Sequence, residues 1–499
     1  MQSRNRKANT LQSMLGIFFQ SAHTPQKVIE TLARIGISIS TETINAAVRS
    51  LSIESAKKLR TLGQSLLAAY AYDNFDIDLK SHVPTAEKTN DSLKHLTSGL
   101  LFPLVHGTTP DDLKCAEELW KVSPLNPSPD ESLQSKRTWR DLLSIHPEPK
   151  ASNALSRRDL FNCWVFLKDL CSYGPDYFRC FVSELKEPEA VDEIPLVKTE
   201  IIAARAMDVN NSSVSGNIQA VIELLRQGGI YDPAEVAVEG LDAPDISQHV
   251  VLVHGDLGTG ERLQAVQSWR AIEKTPWDQF RHVLFIPGLF HLKMACTEAI
   301  WRGFIQPSSA REDETSLMYD ISTLRPKETG LFCTKPGFRR THQLIGHAGI
   351  CRRLDCWRVH IKKMGFDSLK AFAASTPTLD ELEAMAGDIA QTYVAKYQLH
   401  RMKRKPVKER DVQYENALFM QRYFLLYEEL SHAMNQGDIG RVETCIVHWI
   451  PILKAVGKHK YATQMTNFLV NVHFVYPTQL RCCVDIPKSC QMRLIPHVY

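Results

Sequence analysis

Residues 249–262 read HVVLVHGDLGTGER. Val250 to Val253 form a continuous β-branched, apolar run, the pattern of a strand buried on both faces. The run stops at His254-Gly255-Asp256, and Gly258 and Gly260 precede a helical pattern that starts at Glu261. A second cycle follows: strand His282–Ile286, turn Pro287-Gly288, and an amphipathic stretch from His291 to about Ile305. Strand, glycine-rich turn and helix, twice over, make an α/β unit, and such units place their polar chemistry at strand ends. Asp256 is therefore the first candidate for a functional carboxylate.

The Gly255-to-Gly260 spacing is that of a phosphate-binding loop, but Glu261-Arg262 stands where such a loop needs Lys-Ser/Thr. A glutamate there repels the phosphates, so nucleotide hydrolysis is set aside. Two readings of Asp256 stay open: a magnesium ligand, or the N-cap of the helix that follows. Phosphodiester-cutting magnesium sites take two or three carboxylates from separate elements. A second carboxylate is available at Ala69–Leu79, where Tyr70 to Leu79 alternates like a strand and carries Asp73, Asp76 and Asp78. Leu93–Leu104 is its expected hairpin partner.

Working outward, residues 1–65 read as helical. Pro25–Arg34, a break at Gly36, and a helix capped by Ser40 or Thr41 have the layout of a helix-turn-helix or of a plain helical hairpin. Residues 66–120 hold the first strands and 121–240 proline-rich loops and a helical insertion, in which Arg158–Leu185 and Val214–Gln227 are helices. Residues 241–310 hold the strand-helix-strand-helix unit, 311–410 a basic helical or irregular insertion, and 411–480 the C-terminal helices. Residues 481–499 are an aberrant, cysteine-rich tail.

The formal net charge is +3, but it is uneven. Residues 1–70 carry 9 Lys/Arg against 3 acids, and residues 321–410 carry 18 against 8. Arg339, Arg340, Arg352 and Arg353, interleaved with Phe338 and Trp357, suit a nucleic-acid backbone, although a solvated helix face has the same composition. His342, His347, Cys351, Cys356 and His360 form a loose His/Cys series whose intervals fit no established zinc site. The 12 cysteines show no CxxC pair, as in a reduced, intracellular protein. No apolar window is long enough for a membrane helix.

VHGDLGTGER, GLFHLKMACTEAIWR, RPKETG, KPGFRRTHQLIGHAGICRRLDCW and AYDNFD together resemble an uncharacterised, multi-copy domain family of mushroom-forming fungi. That family is similar in layout to transposases with a ribonuclease-H-like core, and the resemblance runs from about Leu11 to Arg481. It implies a mixed α/β fold: a ribonuclease-H-like core with large helical insertions and a helical N-terminal segment. It identifies Asp256 as the acid of the Gly-Asp-x-x-Thr motif and Asp73 as that of the Asp-Asn motif, the two magnesium ligands. Glu298, Asp438 and Glu443 are the candidates for a third acid. His291, at the end of the second strand, is a cleft-lining or a purely structural histidine. The implied protein is nuclear, binds DNA, is a possible homo-oligomer, and either cleaves and transfers DNA strands or is a decayed copy. A non-catalytic nucleic-acid-binding protein on the same scaffold is the alternative. The tail departs from the family pattern after Arg481.

Overall fold

The computed structural model describes residues 9–78, 93–105, 107–129, 137–148, 155–306, 313, 316–327, 336–394 and 397–484. The expected aberrant tail, from residue 485 on, and Lys335 in the basic segment lie outside these. The chain forms two compact units, Met1–Pro129 with Thr199–Ile286, and Asp130–Lys198 with Pro287–Tyr499.

The first unit is built on one mixed five-stranded sheet in the order β3-β2-β1-β4-β5. The strands are β1 Ala68–Asp78, β2 Leu93–Pro103, β3 Ile202–Ala203, β4 Val251–Gly255 and β5 Val283–Pro287. The expected hairpin is present: β1 and β2 are antiparallel, with Tyr72 opposite Gly99 and Asp76 opposite His95. β3, for which two residues leave no periodicity to read, adds antiparallel to β2. β4 lies parallel to β1, with Tyr70 opposite Val253 and Ala71 opposite His254.

One pleat of the sheet points Tyr70, Tyr72, Leu101, Val251 and Val253 into a core with Leu59, Val221, Leu224, Leu263 and Val266. Those partners come from helices Thr41–Gln64, Val214–Gln227 and Leu257–Arg270. Ala69, Phe102, Leu252, His254 and Ile286 are buried as well. Both pleats of the central strands are therefore dry, which is why Val250–Val253 is apolar without alternation. Gly260 has a specific reason to lack a side chain, since a Cβ there would overlap the Phe285 ring on β5. The N-terminal helices are Thr10–Ser21, Gln26–Arg34 and Thr41–Gln64, and Ser40 is the cap, accepting from the Thr43 N–H. At 24 residues the third helix is much longer than a recognition helix needs.

The second unit is helical among its described residues. Arg157–Tyr173, Phe338–Lys363, Leu379–Tyr393 and Val412–Gln436 share a core of Phe161, Phe166, Leu170, Trp357, Ile361, Leu382, Ile389 and Leu425. The single helix expected over 158–185 is divided: Gly174 ends it, Pro175 cannot continue it, and Asp176–Ser183 winds as a 3-10 helix. No disulfide joins any two of the described cysteines. Among the described residues, no helix is long and apolar enough to cross a membrane.

Candidate active site

Asp256 ends the extended run of β4 and starts a helix. As N-cap of Leu257–Arg270 it accepts the Thr259 N–H on Oδ1 at 2.7 Å. The capping role is thus real, and one of its two carboxylate oxygens performs it. Asp73 lies on β1, exposed, and its Oδ1 accepts the Asn74 N–H at 2.8 Å. The parallel pairing of β1 and β4 runs as far as Ala71 opposite His254, and Asp73 and Asp256 each follow two residues beyond that last pair. They lie where β4 has ended at Gly255 and β1 continues to Asp78. Asp76, the other early candidate, is bound across the hairpin to His95 Nδ1 at 2.7 Å.

Three further groups lie on the Tyr72 face of the sheet, the face opposite to that of Asp73. The Tyr72 hydroxyl donates to Asn217 Oδ1 at 2.9 Å, and Asn217 in turn donates to the carbonyls of Asn211 and Ser213. Burial pushes the Tyr72 hydroxyl well above its ordinary value; Arg262 opposes that shift and Asp256 adds to it, so both charges act on this site. Arg262 lays its guanidinium over Gly258, where a Cβ would lie 3.1 Å from a guanidinium nitrogen. Its buried Nε has no hydrogen-bond partner among the described residues. Sequence reasoning used Glu261-Arg262 only to reject a nucleotide loop and passed over Arg262. A cation six residues after the capping acid was the available signal.

The remaining candidates lie in the second unit. His291 is on the first turn of Leu289–Phe304 and Glu298 is farther along the same helix. Glu298 is held by Arg302 at 2.7 Å and by Lys458. Burial raises its pKa, but these two cations outweigh burial and leave it below the usual carboxylate range. Asp438, almost fully buried, caps Ile439–Ala455 and accepts from the backbone N–H groups of Val191, Asp192 and Arg441 and from the Arg441 guanidinium. Both acids are thus committed to cations. Glu443 differs: it is buried, and its Oε2 meets His146 Nε2 and His473 Nε2, each at 2.8 Å.

The basic cluster divides. Arg339 and Arg340 are exposed on the first turn of Phe338–Lys363, open to a phosphate backbone. Arg353 is not. Its side chain is 1% exposed and bonds Asp169 and, bidentately, Glu428. Arg352 pairs with Asp320 at 2.8 Å. The expectation that Arg353 contacts nucleic acid is corrected: a guanidinium sealed between two carboxylates neutralises the interior and cannot reach a ligand, whereas Arg352 keeps part of its side chain exposed. The His/Cys series, whose intervals fit no established zinc site, is spread along one element. His342 to His360 all lie on one continuous helix, which at ~1.5 Å per residue separates the two ends by about 27 Å. They cannot converge on one ion, and His342 instead meets the Tyr427 hydroxyl at 2.7 Å.

The model of a family of unknown function, DUF6589, matches residues 134–485. The match takes in Asp256, Glu298, Glu443 and the four arginines and begins after Asp73. No curated protein and no solved structure matches the chain.

Proposed function

The chain belongs to the DUF6589 family of unknown function, and we propose that it is a transposase-derived protein of fungal mobile-element type, a magnesium-dependent enzyme that cleaves and transfers DNA strands. The observation that supports this reading is the parallel pairing of β1 and β4, which ends at Ala71 opposite His254, two residues before Asp73 on one strand and Asp256 on the other. A mixed sheet in the order β3-β2-β1-β4-β5, antiparallel on one side of β1 and parallel on the other, supports a ribonuclease-H-like core. Hard oxygen donors at one point suit magnesium, which takes carboxylates and keeps several waters. When bound there, the metal would activate water or a 3′-hydroxyl and offset charge at the scissile phosphate.

The chain's own residues have separable duties. Asp73 and Asp256 would hold the metal, and the Asp256 cap on Thr259 orients that carboxylate. Arg262, whose guanidinium lies over Gly258 at the start of the helix that Asp256 caps, would add positive charge for a phosphate. Arg339 and Arg340 would hold the DNA backbone without reading sequence. A DNA substrate places the protein in the nucleus. Whether copies of the chain assemble is read out in the same preparation, from its mass in solution.

The test is cleavage of end-labelled duplex and single-stranded DNA by the full chain in magnesium, manganese or EDTA. Metal-dependent cleavage lost in both Asp73→Asn and Asp256→Asn is the expected result. Cleavage that persists in both variants overturns the assignment. One observation favours the second reading, a non-catalytic nucleic-acid-binding protein or decayed copy: Glu298 and Asp438 are already neutralised by cations. That reading is marked by salt-dependent DNA binding with no cleavage in any metal.

A further inference from the structure

We propose that His146, Glu443 and His473 form a binding site for one first-row divalent transition ion, with zinc the best fit. The site is independent of Asp73 and Asp256, and it makes Glu443 a ligand of this ion in place of a third acid for DNA cleavage.

Three separate segments supply the donors. His146 follows the 3-10 turn Asp141–Ser144, Glu443 is in the second turn of Ile439–Ala455, and His473 is the middle residue of the π-helical turn Asn471–Val475. π-turns recur at functional sites because the extra residue redirects a side chain. The segment before His146 is pinned to the helix that carries Glu443, since Trp139 Nε1 donates to the Val447 carbonyl at 3.0 Å. The donors are therefore held by packed structure, as a site requires.

The geometry converges on a point. Both imidazole Nε2 atoms lie 2.8 Å from the same oxygen, Glu443 Oε2. The rings stand edge to face at 89° with centroids 5.6 Å apart. One ligand atom from each residue lies within 4.8 Å of the other two. Side-chain exposure is 11% for His146, 2% for Glu443 and 4% for His473. An ionised carboxylate this dry is costly to bury, by several kcal/mol where opposite charge does not offset it. A divalent ion at this point would bring both charge and bonds to the carboxylate.

The donor chemistry selects the ion. Two nitrogens and one oxygen suit zinc and its neighbours, whereas magnesium and calcium take oxygen. Zinc bonds of ~2.0–2.1 Å place tetrahedral donors about 3.3 Å apart. Ion uptake would open each present contact by roughly half an ångström, a small side-chain adjustment. Three protein ligands leave a fourth position for water, and His146, the most exposed of the three, marks the side from which it enters.

The experiment strips the full chain with EDTA, reloads it with zinc, desalts it and measures bound metal by mass spectrometry. We expect about one zinc per chain, lost in His146→Ala and His473→Ala and weakened at least tenfold in Glu443→Gln. Cobalt(II) loaded into the wild-type chain should give four-coordinate visible bands without a thiolate charge-transfer band. This readout holds even if a variant fails to fold, and it separates the site from adventitious binding at the free cysteines. Equal zinc in wild type and folded variants, no retained zinc in the wild type, or a thiolate-dominated cobalt spectrum each overturns the proposal.

Discussion

Asp256→Asn and Asp256→Ala separate the two duties of the residue at the end of β4. The cap is a 2.7 Å bond from the Thr259 N–H, and Thr259 is almost fully buried. Asparagine caps helices about as well as aspartate, so Asp256→Asn should change stability by no more than a few tenths of a kcal/mol. Alanine removes the acceptor and leaves a buried N–H unpaired, which costs about 1–2 kcal/mol. The charge behaves differently, since both substitutions remove it. Metal-dependent cleavage should therefore fall at least ~100-fold in both, the scale of removing one preorganised electrostatic group. Urea unfolding gives the stabilities, and amide exchange over residues 257–260 reports the opened cap directly. DNA cleavage by folded protein gives the third readout. If Asp256→Asn cleaves DNA as the wild type does, Asp256 is a cap and nothing more. If it is destabilised as much as Asp256→Ala, the capping argument itself is wrong.

Gly260→Ala should lower stability by about 1–3 kcal/mol through overpacking against Phe285, with recovery in the double variant Gly260→Ala/Phe285→Leu; thermal unfolding decides it, and a silent single substitution refutes the close approach. Arg353→Met should leave Asp169 and Glu428 uncompensated and cost roughly 3–5 kcal/mol. A stable Arg353→Met chain that has lost only DNA binding would overturn its assignment to the interior. By contrast, Arg339→Ala and Arg340→Ala should leave the melting temperature within the usual small surface range and lower the salt slope of DNA binding by roughly 1 for each phosphate that is no longer neutralised. Burial depresses the pKa of His282, stacked on Trp277, to about 3. The folded state then binds fewer protons than the unfolded state between about pH 6.5 and 3. The stability contributed by its neutral ring is complete above about pH 6.5 and is lost as pH falls, at up to ~1.4 kcal/mol per pH unit. His282→Phe should flatten that part of the unfolding profile, and an unchanged slope removes His282 as its source.

Much of the fold was legible where local periodicity and burial agree. The hairpin of β1 and β2, the apolar β4 and the helix Val214–Gln227 were all expected at or near their observed bounds. The misses have physical causes. Ile202–Ala203 is a strand only because β2 lends it partners. Phe338–Lys363 buries Arg353 and Trp357 beside apolar residues, so its polar and apolar faces are not clean enough to read as one long helix. An arginine in a string of basic residues looks solvated, and only its distant partners Asp169 and Glu428 make it an interior residue.

The candidate sites divide along the same line. Asp256 was visible from its own neighbours, because a strand end, two glycines and a helix start are all local signals. Its proposed pairing with Asp73 depends on the alignment of β1 and β4, a long-range feature set by which side chains the two strands bury together. His146, Glu443 and His473 carry no local signal, since each is one polar residue in an ordinary segment and they meet only when three elements pack. Short-range steric and solvation preferences are written into neighbouring residues and can be read there. Charge compensation and ligand convergence are properties of the packed interior, where groups far apart in the chain come within a few ångströms of one another.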